Sequence, residues 1–175
     1  MKWVLVVVAA LVALAALVAV VGALRPKAHV ATYAAVLGAP IDRVWATIAD
    51  VERTPEWVPD IRKVERLPDR DGRPSYRESF GGFQATTVIT VSEPPRRLVK
   101  EILPSGPFYG SWTWELAAEG GGAGTRLTIT ERGTVENPFF RGMMVFHDNT
   151  KTARDYAAAL GRRLGVEVTP AAGGQ

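Results

Sequence analysis

The chain has no cysteine among its 175 residues, which excludes disulfides, thiolate metal sites and a cysteine nucleophile. Histidine is almost as scarce, with His29 and His147 the two present. No group of histidines and carboxylates has metal-ligand spacing, and no G-x-S-x-G elbow occurs. Neither a metal nor another cofactor is expected. The glycine-rich run "EGGGAGT", residues 119–125, lies between two strand-like segments, whereas a dinucleotide loop must open a helix. Concentrated basic charge is missing too. Lys and Arg total 21 against 18 Asp and Glu, and the tightest groupings are the pairs Arg96-Arg97 and Arg162-Arg163. Nucleic-acid binders gather such charge into a stripe with exposed aromatics, so no nucleic-acid partner is expected. No internal repeat is visible.

What the chain does have is one long apolar run at its start. From Trp3 to Leu24 there is no charged or strongly polar side chain. As a helix this segment is about 32 Å long, enough to cross a hydrocarbon core. A signal peptide is the competing reading, with "VGA" at Val21–Ala23 as a cleavage site, but its apolar region is normally about 7–15 residues. The expected organisation is a transmembrane anchor over 1–25, a linker over 26–28, a folded domain over 29–168 and a flexible tail over 169–175. Lys2 on one side and Arg25 and Lys27 on the other leave the orientation in the membrane open.

Beyond Pro26, "HVATYAAVL" reads as a strand. Ile41, Val44, Trp45, Ile48 and Val51 then form one helical apolar stripe, with Pro40 at the first helical position. A second, very short helix follows, capped by Thr54 with Pro55 inside it, and it carries Trp57. From Ile61 to Glu136 six strands are separated by turn residues, so with the first strand the sheet has seven. Asn137-Pro138 opens a long helix that continues to about Leu164, with Gly165 as its stop. Its apolar stripe is Met143, Phe146, Thr150, Ala153, Ala157, Leu160 and Leu164.

An antiparallel sheet must bury one face, and this last helix is the element long enough to cover it. Its stripe is large at the ends and small at Thr150, Ala153 and Ala157. That pattern suits either an unfilled apolar cavity or close approach of helix and sheet. Alternation puts Phe108, Trp112 and Trp114 on one face of their strand, as core or as cavity wall. It also turns Glu131 inward beside Leu127 and Ile129, and puts Tyr76 and Glu78 on the face of Phe80. A buried carboxylate is costly unless partnered, so these three polar groups either serve a mainly apolar cavity or sit at solvated strand ends. The ligand-binding candidates are Trp57, Tyr76, Glu78, Phe108, Trp112, Trp114, Glu131, Phe146, Thr150, Ala153 and Ala157. Should the chain catalyse a reaction, Glu131, Tyr76 or His147 would supply acid–base chemistry.

The order of elements and three stretches resemble the START-like (SRPBCC) superfamily, in its bacterial polyketide cyclase/dehydrase and lipid-transport branch. The stretches are "APIDRVWATIADVERTPEWVPDIRKVE", "GSWTWELAAEGGGAGTRLTITERG" and "NPFF", and the likeness covers about residues 29–165. The resemblance implies an α+β helix-grip fold, a seven-stranded antiparallel sheet curved around a long C-terminal helix, here preceded by a transmembrane helix. It implies a cavity mouth near the two short helices, where Trp57 would be a lid or, alternatively, a cap on the core's end. Three functions follow as expectations: a membrane-anchored carrier of a lipid, quinone or other hydrophobic small molecule; a polyketide cyclase or dehydratase; and an accessory module docking on a membrane enzyme, its protein partner.

Overall fold

The structure is a computed structural model, described here for residues 1–80, 82–104, 108–144 and 148–171. Helix α1 (Lys2–Ala23) is followed by β1 (Ala28–Leu37), α2 (Ile41–Ala49) and a 3-10 turn (Val51–Glu56). Strands β2 (Ile61–Arg70), β3 (Arg73–Phe80), β4 (Phe83–Glu93), β5 (Arg97–Ile102), β6 (Phe108–Glu119) and β7 (Gly124–Val135) come next. Helices α3 (Pro138–Met143) and α4 (Lys151–Leu164) and a last strand β8 (Val168–Pro170) complete the chain.

All neighbouring strands pair antiparallel, in the order β2-β3-β4-β5-β6-β7-β1-β8. The architecture is the helix-grip expected, with one strand more than the seven read from the sequence. Val168 pairs with Leu37 and Pro170 with Ala35, so Thr169 and Pro170 belong to the sheet edge rather than to a tail. Three residues are too few to show a period of two, and proline is tolerated on such an edge. The β2–β3 hairpin turns on Asp71-Gly72, both at positive φ (51° and 72°), the two-residue turn that matches strand twist.

Helix α2 buries Val44 and Ile48 as its stripe requires but ends at Ala49, where Asp50 at ψ 75° breaks it, so Val51 of that stripe is buried in the 3-10 turn instead. Pro40 stands one position earlier than expected, as the N-cap in an extended conformation. The second helical turn starts directly at Val51, with Arg53 N–H bonding Asp50 O at 3.2 Å. Thr54 is therefore inside that turn and buried, its carbonyl accepting from Trp57 and Val58, and it is not the cap.

The single long C-terminal helix of the sequence reading is two helices. Asn137 caps α3 as expected, its side chain accepting from Phe139 N at 2.8 Å with Pro138 first in the helix. α3 ends at Met143 with Met144 as its C-cap, and "DNT" at Asp148–Thr150 forms a separate turn ahead of the next helix. Asp148 Oδ1 accepts from Thr150 N (2.9 Å) and Thr150 Oγ1 (2.7 Å), and Oδ2 from Arg154 (2.8 Å). This local turn competes with continued helix and restarts it as α4. Gly165, at φ 66°, stops α4 as expected. Ala153, Ala157, Leu160 and Leu164 are buried against the β1/β7 half of the sheet. The small residues let helix and sheet approach closely, the second of the two readings the stripe allows.

Those bonds hold the Asp148 carboxyl down at a pKa of about 2. Its stabilisation is therefore complete above the ordinary value near 3.8 and is lost as pH falls through about 2. Asp148→Ala is expected to lower the thermal midpoint by a few degrees at pH 7. The gap between variant and parent should close near pH 2, and a constant gap across that range would refute this account.

α1 carries an apolar surface almost wholly outside the fold, and its most apolar window has no buried residue. It is long and apolar enough to cross a membrane. The join to the domain is shorter than a 26–28 linker. Ala28 already begins β1, and Val135 N–H bonds Lys27 O at 2.9 Å.

Candidate functional site: an aromatic cavity under the last helix

Because α4 seats its small residues on β1 and β7, its other flank stands away from β5 and β6 and leaves a cavity of about 500 Å³. Trp112, Trp114 and Phe108 of β6 and Phe80 of β3 form its apolar wall. Val58, Pro59 and Ile61 close a second side, and Tyr156 of α4 stands opposite. Tyr156 is the hub of the aromatic set. Its ring lies 5.0 Å from Trp57, 5.6 Å from Trp114 and 6.0 Å from Trp112, separations at which tilted and edge-on rings attract.

One end of this apolar space is polar. Lys100 of β5 shares its face with Leu98 and Ile102, and Lys100 pairs with Trp112 across the sheet. Its Nζ lies 5.6 Å from the centre of the Trp114 ring and 2.8 Å from the Glu78 carboxylate. Glu78 is fully buried and also accepts from Thr87 Oγ1 at 2.6 Å. The desolvation cost of both charges is thus offset by pairing and hydrogen bonds. Burial, with the Glu78 carboxylate nearby, pushes the Tyr156 phenol far above its ordinary pKa, so Tyr156 is a neutral hydroxyl at physiological pH. The Trp114 indole N–H is buried with no acceptor among the described residues.

A second polar group lies along β1 and β7, where His29 Nε2 stands 3.7 Å from Glu131 Oε1. Both line the cavity and are about a quarter exposed. The rim is charged, with Asp60, Lys151, Asp155 and Arg162 around the opening.

Of the residues singled out in the sequence, Phe108, Trp112, Trp114 and Glu131 meet in this wall. Glu78 supports it from behind through Lys100. Trp57 is 9% exposed, packs against Tyr156 and is not in the wall. Tyr76 lies away from the cavity, under the Arg66 guanidinium at 5.1 Å, where burial raises its pKa. Ala153 and Ala157 are fully buried on the sheet side of α4, and Thr150 is tied to Asp148. Phe146 and His147 lie outside the described residues. Among the described residues no group of three or more His, Asp or Glu could hold a metal.

Sequence reasoning missed Lys100 and Tyr156. The alternation of "RRLVKEIL" puts Lys100 on the inward face with Leu98, and Tyr156 stands three residues after Ala153 on the helix. Both signals were available.

A search of curated protein sequences finds no match to this chain. Among solved structures, the Zhui aromatase/cyclase from Streptomyces sp. R1128 is similar at 18% identity and TM-score 0.66, covering 79% of this chain and 94% of that one. A START superfamily protein from Mycobacterium smegmatis is similar at 18% identity and TM-score 0.62, over 78% of this chain and 97% of that one. The truncated norcoclaurine synthase from Thalictrum flavum, at 13% identity and TM-score 0.62, covers 78% of this chain and 93% of its own. At such identities the likeness is one of fold. The family described as polyketide cyclase/dehydrase and lipid transport matches residues 28–164, nearly the whole of the domain after α1, and the chain belongs to that family.

Proposed function

We propose that this protein is a membrane-anchored carrier that holds a hydrophobic small molecule, such as a lipid or quinone, in the cavity beside α4. The observation that carries this reading is the aromatic cavity in a domain joined directly to an apolar helix of membrane length. Tethering keeps the cavity at the ligand's source and raises its effective concentration there. Trp112, Trp114, Tyr156 and Phe108 would hold the apolar body. Lys100 at the polar end favours a ligand carrying an acceptor, such as a carbonyl, at one terminus.

The test is native mass spectrometry of the full chain released from membranes in mild detergent, with organic extraction of what co-purifies. A stoichiometric apolar ligand is the expected result. A chain that stays empty after exposure to membrane lipid and quinone extracts overturns the carrier and favours a docking module. Ala158 lines the cavity, and Ala158→Trp is expected to weaken ligand retention at least about tenfold, about 1.4 kcal/mol, with the thermal midpoint nearly unchanged. Retention equal to the parent's would place the ligand elsewhere.

A cyclase or dehydratase is the second reading, favoured by the closeness of His29 and Glu131 inside the cavity. A proton could pass between a bound ring system and that pair. Conversion of the extracted molecule during incubation, abolished by Glu131→Gln, would mark that activity.

A further inference from the structure

Helix α3 is not free in solution beside α1 but locked to it at two glycines. A Cβ on Gly22 would fall 1.8 Å from Pro138 O, and one on Gly142 would fall 2.0 Å from Val18 O. Val18 and Gly22 are one turn apart on α1, and Pro138 and Gly142 are one turn apart on α3. The two backbones therefore touch over a full turn, in the small-residue manner of helices packed in lipid. Arg141 completes the joint. It donates to Gly22 O at 2.9 Å, to Val135 O at 2.8 Å and to Glu136 O at 2.7 Å. One guanidinium thus ties the end of α1 to the end of β7 through three backbone carbonyls.

This joint fixes the depth of α3. Val18–Gly22 is the last stretch of α1, within about 9 Å of its C-terminal end at 1.5 Å per residue. If α1 spans a bilayer, α3 lies at the boundary between acyl chains and headgroups. At that level α3 exposes Phe139 (38%), Phe140 (44%) and Met143 (60%), continuous with the exposed apolar side chains of α1. The groups just beyond are polar: Lys27 and Tyr109 both bond Glu136, at 2.7 and 2.9 Å. Apolar side chains at one level and a charged and phenolic belt at the next is the profile of an interfacial segment.

We infer that α3 is a second membrane contact: Phe139, Phe140 and Met143 enter the acyl–headgroup boundary of the same bilayer that α1 spans. This rests on the anchor reading of α1. The domain then has a fixed pose on the membrane instead of swinging on a tether. Met144, at the end of α3, lines the cavity together with Val135 and His29, so that side of the cavity faces the lipid surface.

The absence of cysteine makes the test direct. A single cysteine is placed at Phe140, at Met143 or, as a control in the exposed β2–β3 turn, at Asp71. Each full-length variant is labelled with a nitrobenzoxadiazole probe and reconstituted in phosphatidylcholine vesicles, with flotation confirming insertion. The probe at positions 140 and 143 is expected to be quenched by lipid carrying a shallow doxyl group and shielded from aqueous iodide. At position 71 the reverse is expected. Flotation with iodide quenching at 140 and 143 equal to that at 71 overturns the contact while leaving the anchor standing. Failure to float overturns both. Shielding from iodide without quenching by doxyl lipid would mean that another copy of the chain covers α3, and it also overturns the contact. Phe140→Ser with unchanged flotation and unchanged circular dichroism, but several-fold slower ligand transfer from vesicles, would add independent support.

Discussion

Replacing Lys100 by methionine is expected to cost about 3–5 kcal/mol of stability, the usual penalty when one partner of a buried ion pair is removed. Glu78 is wholly inaccessible, and Thr87 is its other partner. A hydroxyl supplies one hydrogen bond, which cannot replace the cation for a carboxylate in an apolar wall. Methionine retains the volume and reach of the lysine stem, so the loss is electrostatic more than a cavity effect. The double variant Lys100→Met, Glu78→Gln should recover most of the loss, because a neutral amide needs no counter-charge and can still bond Thr87. Thermal unfolding in detergent, followed by the near-ultraviolet circular dichroism of Trp112 and Trp114, measures all three proteins. A single variant within about 1 kcal/mol of the parent would mean that water reaches Glu78 and that the pair behaves as a surface bridge.

Glu78 also illustrates what the sequence allowed. Alternation along "SYRESF" put Tyr76, Glu78 and Phe80 on one face, and all three do lie inside or partly inside the fold. Alternation does not say where along a curved sheet the cavity falls. Tyr76 ended against Arg66 in packed core, Phe80 in the wall, and Glu78 between them. The helix shows the same limit. The period of 3.6 located the buried side of α4 at Ala153, Ala157, Leu160 and Leu164, yet the cavity lies along the adjacent flank, where Tyr156 and Ala158 mix with charged residues. A stripe records what is packed tightly, and an unfilled space leaves no stripe.

The fold itself was legible because each of the first seven strands is long enough to repeat its pattern and the turns between them carry glycine or proline. The two largest departures are local. The restart at Asp148 depends on a side chain bonding its own backbone two residues on, which in sequence looks like any polar helix surface. Strand β8 owes its place to position rather than pattern. After the left-handed Gly165, the chain passes Val166 N–H to Gly161 O and then meets the free edge of β1.

Gly110→Ala is expected to be the other severe change, at roughly 2–5 kcal/mol, combining a backbone held where L residues are strained with overpacking. Gly110 has φ 157° and lies opposite Gly133 across β6 and β7. A Cβ there would stand 1.9 Å from Arg132 O and 2.9 Å from Arg132 C. Both obstacles are main chain, and β7 cannot yield because it is paired on its other edge with β1 along Ala28–Leu37. Gly133 makes the contrast. Its added Cβ would meet the His29 ring, Cε1 at 2.3 Å, and a side chain can rotate away where a strand cannot. Gly133→Ala should therefore cost less stability while moving His29 out of the cavity wall and away from Glu131. Gly72→Ala serves as the control for positive φ alone, since nothing lies within 4 Å of the added atom. Its cost should be about 1 kcal/mol. Denaturant or thermal unfolding ranks the three, with Gly110→Ala lowest. If Gly110→Ala matched Gly72→Ala, β6 and β7 would have room to part at the cavity wall.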